Sequence, residues 1–173
     1  MERDVLAAVA ALLDAQGVAW VVMGAVAANR YRREVRLTGD LDLLVASHGS
    51  NGLDSLEAAF ESAGWLVRRG SLDGALLRLR HATLGAVDLV LAETEYQRAA
   101  IERAVSDVSG GGVPLRVLRI EDVLVHKLIA GRPRDLADIE DILAGRPELD
   151  KAYVERWVEY WDVGELWQQL RAR

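Results

Sequence analysis

Gly39-Asp40-Leu41-Asp42-Leu43-Leu44-Val45 sets two carboxylates two residues apart at the head of an apolar run. In an extended strand successive side chains alternate, so Asp40 and Asp42 share one face. An unpaired ion held out of water is expensive, which makes a divalent cation a natural partner for the pair. Oxygen-only ligands suit Mg2+. The competing reading is an exposed strand edge on which both aspartates simply face water, and the flanking sequence bears on the choice.

Upstream, Val18-Ala19-Trp20-Val21-Val22-Met23 has the length and β-branched content of a buried strand and is bounded by Gly17 and Gly24. Gly24-Ala25 then opens a helix-compatible run to Glu34. A small-residue turn from strand into helix leaves backbone N–H groups unpaired at the positive end of the helix dipole, where phosphate oxygens fit. Such junctions also occur for purely steric reasons, so this one gains meaning only beside the acid-bearing strands. Downstream, Gly85-Ala86-Val87-Asp88-Leu89-Val90-Leu91 is a second apolar strand with an acid in its middle. A lone Asp there reads as a hydrogen-bonded structural group. Two acid-bearing apolar strands invite a common explanation, and a shared metal site provides one.

With these pieces in order, the chain resembles the DNA polymerase β-type nucleotidyltransferase superfamily: a glycine turn and helix (Gly24-Ala25), an Asp-x-Asp strand (Asp40-Leu41-Asp42) and a later strand with a third acid (Asp88). It is also similar to small bacterial nucleotidyltransferase-like proteins related to AbiE-type toxins. That likeness rests on Arg36-Leu37-Thr38-Gly39-Asp40-Leu41-Asp42 and on the segment from Glu121 through His126-Lys127-Leu128 and Gly131-Arg132-Pro133-Arg134-Asp135 to Asp138. Together these stretches span most of residues 18 to 143.

The resemblance implies an α/β fold with a mixed twisted sheet flanked by helices and a C-terminal helical region. It implies transfer of a nucleoside monophosphate from an NTP, ATP among them, to an acceptor hydroxyl, with Mg2+ as cofactor. Asp40, Asp42 and Asp88 are the implied catalytic and metal-binding residues, and Gly24, Ala25, Arg36, Thr38, Lys127 and Asp135 the nucleotide-binding ones. An RNA 3′ end, a protein hydroxyl and a small molecule all remain as acceptors. An antitoxin and a second copy of the chain are the expected protein partners, and no membrane is expected. Ala25 stands where members often carry Ser or Gly, so a backbone contact to phosphate survives and a hydroxyl contact does not. The alternative is a catalytically silent nucleotide-binding or toxin-antitoxin module with the same fold.

Residue patterns single out several of the same positions. Of 21 Lys and Arg residues only Lys127 and Lys151 are lysines. On a helical wheel for residues 120 to 131, Lys127 falls inside the apolar arc and is expected to point inward, toward a phosphate or a carboxylate; the alternative is a stem that snorkels to solvent. Pro133 suits a first helical turn, which puts Asp135 and Asp138 near a positive dipole end. Asp135 shares a side with Ile139 and Ile142 and is favoured for function, Asp138 is not. Arg30, Arg32 and Arg33 read as a solvated face. Arg36, by contrast, alternates with Thr38, Asp40 and Asp42 onto one side of an extended segment, where it meets an acid or a phosphate.

The remaining properties bound the class. At 173 residues and net charge −6 the chain can bury one substantial core, and its charge argues against broad nonspecific nucleic-acid binding. With no cysteine, disulfides, thiolate zinc sites and cysteine nucleophiles are excluded. No apolar run approaches the roughly 20 residues of a membrane span, and the N-terminus lacks a secretory layout, so the cytoplasm is the expected compartment. His48, His81 and His126 have no mutual spacing that suggests a site. Tyr153, Trp157, Tyr160 and Trp161 recur at helical spacing, with Trp167 beyond, as core or a dimer seam.

Helices are expected at 2–16, 25–34, 52–63 and 95–107, strands at 18–23, 40–45, 65–69, 75–81, 86–91 and 115–118, and helix through most of the rest. A boundary near Ser109-Gly110-Gly111-Gly112 divides a nucleotidyltransferase core, 1–109, from a short strand and helical region, 110–173.

Overall fold

A computed structural model describes residues 2–46, 50–70, 75–108 and 114–172. The Ser109-Gly110-Gly111-Gly112 connector and His48 lie outside the described residues. Seven strands form one mixed sheet: β1 (Trp20–Val22), β2 (Leu41–Ala46), β3 (Leu66–Arg69), β4 (Leu76–His81), β5 (Gly85–Ala92), β6 (Val105–Val108) and β7 (Pro114–Val117). Their order across the sheet is β3-β4-β5-β2-β1-β7-β6. The pairs β2–β5 and β1–β7 are parallel, and the rest are antiparallel. This is the mixed α/β architecture expected from the sequence.

Eight helices accompany the sheet among the described residues: α1 (Glu2–Ala15), α2 (Gly24–Asn29), α3 (Ser50–Ser62), α4 (Glu95–Glu102), α5 (Ile120–Ala130), α6 (Pro133–Ala144), α7 (Lys151–Tyr160) and α8 (Gly164–Arg171). Helices α1 and α3 touch each other and strands β5 and β3, whereas α2 and α4 touch β2. Helix α5 packs on α2, α6 and α7. Leu41, Leu43 and Val45 of β2 and Val87, Leu89 and Leu91 of β5 are buried in a core that also takes in Leu124, Leu128, Ile139 and Trp157. Alternation then puts Asp42 and Asp88 on the opposite, half-buried face.

Two expected helices are shorter than their sequences suggest. The run 25–34 stays helical only to Asn29, because the Asn29 side chain leaves the helix to pair with the backbone of Arg36. Its Nδ2 donates to the Arg36 carbonyl at 2.7 Å, and its Oδ1 accepts from the Arg36 amide at 3.0 Å. The helix expected over 95–107 starts on a Thr94–Gln97 capping box but ends at Glu102. Arg116 donates to the Ile101 carbonyl at 3.1 Å near that end, and Val105–Val108 pairs antiparallel with Pro114–Val117 instead. The local helical pattern loses to a strand partner.

The aromatic stripe is largely core. Trp157 and Trp167 are each 2% exposed, whereas Tyr160 is 57% exposed. His126 is held by the Asp122 carbonyl at 2.9 Å and the Tyr96 hydroxyl at 2.8 Å from Nδ1, and the His81 ring packs against Trp65.

Candidate active site

Strand register builds the acidic wall of the site. Asp42 of β2 lies directly opposite Asp88 of the parallel strand β5, so both carboxylates leave the same face about 4.8 Å apart at the backbone. Asp40 sits one residue before β2. The Thr38 hydroxyl donates to the Asp40 carbonyl at 3.2 Å. Ahead of β2, Arg36 and Thr38 line the cleft, while Val35 and Leu37 point away, 75% and 96% exposed. The period-2 reading of Arg36, Thr38, Asp40 and Asp42 therefore matches the observed geometry.

Gly24 begins α2 with φ +65°, a left-handed conformation that favours glycine. A Cβ built there would lie 2.0 Å from Asp42 Oδ2. The Met23 amide donates to the Asp42 carbonyl at 2.9 Å, tying the turn to the acidic strand. No side chain caps the start of α2.

The opposite wall comes from α5 and α6. Lys127 is 5% exposed and points inward, its Nζ donating to Asp138 Oδ2 at 2.6 Å and to Asp135 Oδ1 at 3.2 Å. Arg132 Nε donates to the other Asp135 oxygen at 2.5 Å. All nine residues singled out from sequence, Gly24, Ala25, Arg36, Thr38, Asp40, Asp42, Asp88, Lys127 and Asp135, line one cleft of about 260 Å³.

Three further cations line the same cleft: Arg78, Arg132 and Arg134. Arg78 faces Asp88 across the β4–β5 ladder, with Nε 3.9 Å from its carboxylate. The signal for it was the hairpin between two alternating strands, since counting back from Gly85 pairs Arg78 with Asp88. Arg132 and Arg134 flank Pro133, one at the cap of α6 and one in its first turn, and that pairing about a helix start was the available cue. Asp138, read from sequence as a helix-dipole residue, is 2% exposed and bonded to Lys127, Arg32 and Arg36.

The two walls differ electrically. Burial, with added repulsion from Asp88 and Asp40, pushes the Asp42 carboxyl up to about 6, only partly offset by Arg132 and Arg134. Burial and Asp40 also raise Asp88, against the pull of Arg78 and Arg80. Asp135 behaves oppositely: burial raises it, but the hydrogen bonds and charges of Arg132 and Lys127 outweigh that and leave it below the ordinary carboxylate range. The acidic wall thus carries carboxylates that burial and mutual repulsion disfavour, with Arg78 at 3.9 Å from Asp88 as a partial counter-charge. Among the described residues no group of three or more His, Cys, Asp or Glu is placed to hold a metal ion. The donor set suits a hard cation held by a few carboxylates and completed by water and ligand oxygens, as Mg2+ is at phosphate sites.

Comparison with known proteins bears on the family and the fold. The family model described as nucleotidyl transferase AbiEii toxin, Type IV TA system, matches residues 5–165. No curated relative matches the sequence. Among solved structures, the antibiotic-resistance factor ANT(2'')-Ia is 16% identical with a TM-score of 0.58, over 98% of this chain and 97% of that one. A nucleotidyltransferase-like protein from Paracoccidioides brasiliensis is 17% identical with a TM-score of 0.53, over 93% and 88%. The lincosamide antibiotic adenylyltransferase LnuA is 12% identical with a TM-score of 0.52, over 80% and 94%. At such identities the structural likeness speaks for the fold, whereas the family model covers nearly the whole sequence. The chain belongs to the AbiEii nucleotidyl transferase toxin family.

Proposed function

We propose that this protein transfers a nucleoside monophosphate from an NTP to an acceptor hydroxyl, releasing pyrophosphate, with Mg2+ as cofactor. The observation that carries the reading is the facing of two unlike walls across one cleft. Asp42 and Asp88 stand in register on one side, and Lys127, Arg132 and Arg134 supply positive charge on the other. Asp40 and Asp42, with Asp88 at the acceptor side, would hold the metal, which when bound draws charge from the phosphate oxygens during displacement.

The protein's own groups would do the rest. The backbone of Gly24 and Ala25 cradles phosphate, and Lys127 with Arg36 meets the outer phosphates of the donor. Thr38 holds the segment that carries Asp40, and Asp135 holds Lys127 and Arg132 at the cleft. The acceptor oxygen attacks the α-phosphorus in line, the bond to the bridging oxygen of pyrophosphate breaks, and the acceptor's proton passes to Asp88. Residues 1–109 would supply the acidic wall and residues 110–173 the basic one. The family's description as a toxin of a toxin-antitoxin system supports a protein antitoxin as partner. No helix among the described residues is long and apolar enough to cross a membrane, and we place the protein in the cytoplasm.

Incubating the protein with each labelled NTP, Mg2+ and a mixed pool of RNA and protein tests the reading. Metal-dependent label on a macromolecule or small acceptor is the expected result and identifies donor and acceptor together. NTP binding with no transfer to any pool would instead assign the silent nucleotide-binding module.

A further inference from the structure

Asp138 is not among the residues that line the cleft, yet three cations meet on it, two from the connection between α2 and β2 and one from α5. Its Oδ1 accepts from Arg32 Nη1 at 2.5 Å, and its Oδ2 accepts from both Arg36 Nη2 at 3.3 Å and Lys127 Nζ at 2.6 Å. Arg32 is fixed in turn by Asp141, whose Oδ2 accepts from Arg32 Nε at 3.1 Å. Asp141 also accepts from the backbone amides of Arg33 and Glu34, at 3.1 and 3.4 Å. Helix α6 is thereby bolted to the segment that leads into Asp40 and to helix α5 at Lys127.

The geometry points to Asp138 as a positioning residue that aims Lys127 and Arg36 into the cleft from behind. This role rests on the nucleotidyl-transfer reading, because it assigns those two cations to the phosphates of an NTP. Lys127 has two carboxylate partners of unequal closeness. The bond to Asp138 at 2.6 Å is the shorter, and that to Asp135 at 3.2 Å is shared with Arg132. A triphosphate drawn to the Asp135 side can therefore take up one face of the ammonium while Asp138 keeps the other. Arg36 is 35% exposed and reaches the same Asp138 oxygen as Lys127, so one buried carboxylate ties two phosphate-directed cations together. Removing the charge but not the shape of Asp138 should loosen both cations together while leaving the acidic wall intact.

The chain contains only two lysines, and Lys151 is exposed. Lysine-selective 15N labelling therefore reports on Lys127 nearly alone, because a hydrogen-bonded buried ammonium exchanges slowly with water and an exposed one does not. In Asp138→Asn the Lys127 ammonium signal of the wild type should shift or broaden away. ATP affinity should fall roughly tenfold, as expected for weakened charge-assisted hydrogen bonds, and AMP affinity less than about twofold. An unmoved ammonium signal, or equal losses for ATP and AMP, overturns the positioning role.

The parent reading is tested in the same titration. A wild type that binds none of the four NTPs overturns the transfer reading and with it any role toward phosphate, and where another NTP binds in place of ATP the same comparison is made with that NTP and its NMP. If instead wild type and Asp138→Asn bind ATP equally, only the positioning role falls. Should Asp138→Asn not fold, Arg32→Gln carries the test, since Arg32 shares Asp138 with Lys127 but is not among the residues that line the cleft. It should move the Lys127 signal and weaken ATP binding more than AMP binding, and failure to do either overturns the proposal.

Discussion

Gly24 and Asp42 interlock: the space a methyl group would need on Gly24 is already filled by the Asp42 carboxylate, 2.0 Å from the ideal Cβ position. The turn that starts α2 and the acid at the centre of the sheet are thus one device. The glycine meets two demands at once, a left-handed φ of +65° and the close approach of a side chain.

Gly17 provides a control within the same molecule, because it has the same φ of +65° and nothing within 4 Å of its ideal Cβ. Gly17→Ala and Gly24→Ala should each lose about 1–2 kcal/mol to the left-handed backbone. Only Gly24→Ala must also displace Asp42, so it alone should abolish nucleotidyl transfer. Thermal unfolding and transfer assays on the two variants check this, and equal activity in both would remove the turn from the site.

Asp42→Asn and Asp40→Asn should each abolish Mg2+-dependent transfer, and Asp42→Asn should do so while raising stability. The folded-state value of Asp42 is raised from 3.8 to about 6, so folding favours its protonated form. That contribution is complete below about 3.8 and is lost as pH rises through about 6. Above about pH 6 the charged Asp42 costs stability, and the neutral amide should be more stable than wild type by an amount on the order of 1–3 kcal/mol. The gap should close toward about pH 4, and Mg2+ should narrow it at neutral pH by stabilising the wild type alone. Melting curves at several pH values with and without Mg2+ test all three parts.

Much of this site was legible in the sequence because its members act at short range. The spacing of Asp40 and Asp42 fixes a shared face in any strand, Asp88 stands out in an apolar run, and Lys127 falls in the apolar arc of its helix. Partners across long range were not legible in the same way. Asp138 meets Arg32 and Arg36 over 106 and 102 positions, and an acid early in a helix has a sufficient local explanation in the helix dipole. Arg78 joins the cleft through the β4–β5 register, which hangs on where the hairpin turns. The overlong helices at 25–34 and 95–107 failed because other partners outcompete local propensity: the Asn29 side chain takes the Arg36 backbone, and Val105 pairs with Val117 in the sheet.

Asp88→Asn should separate binding from chemistry. The carboxylate is 31% exposed and adjoins Arg78, and it stands on β5, a different strand from the one that Asp40 and Asp42 lead and occupy. Nucleotide affinity should stay within about twofold to threefold of wild type while transfer falls by roughly 10²–10⁴, the usual range for a lost general base. Loss of nucleotide affinity equal to that of Asp40→Asn would contradict the acceptor-side assignment.

Lys127→Ala should weaken NTP binding more than NMP binding. Lys127 is buried, lines the cleft and is held there by Asp135 and Asp138. A charge directed at β- and γ-phosphates has little to hold in a monophosphate. Losing one charge-assisted hydrogen bond costs about 1.5–3 kcal/mol, which corresponds to a drop of roughly ten- to a hundredfold for the triphosphate. The variant also leaves Asp135 and Asp138 with one cation fewer, so a loss of thermal stability is expected beside the binding defect, and stability alone cannot diagnose the role. The ratio of the two affinities can. Calorimetric titration of wild type and Lys127→Ala with ATP and AMP in Mg2+ measures it, and parallel losses for both nucleotides would make Lys127 a purely structural member of the α5–α6 ion network.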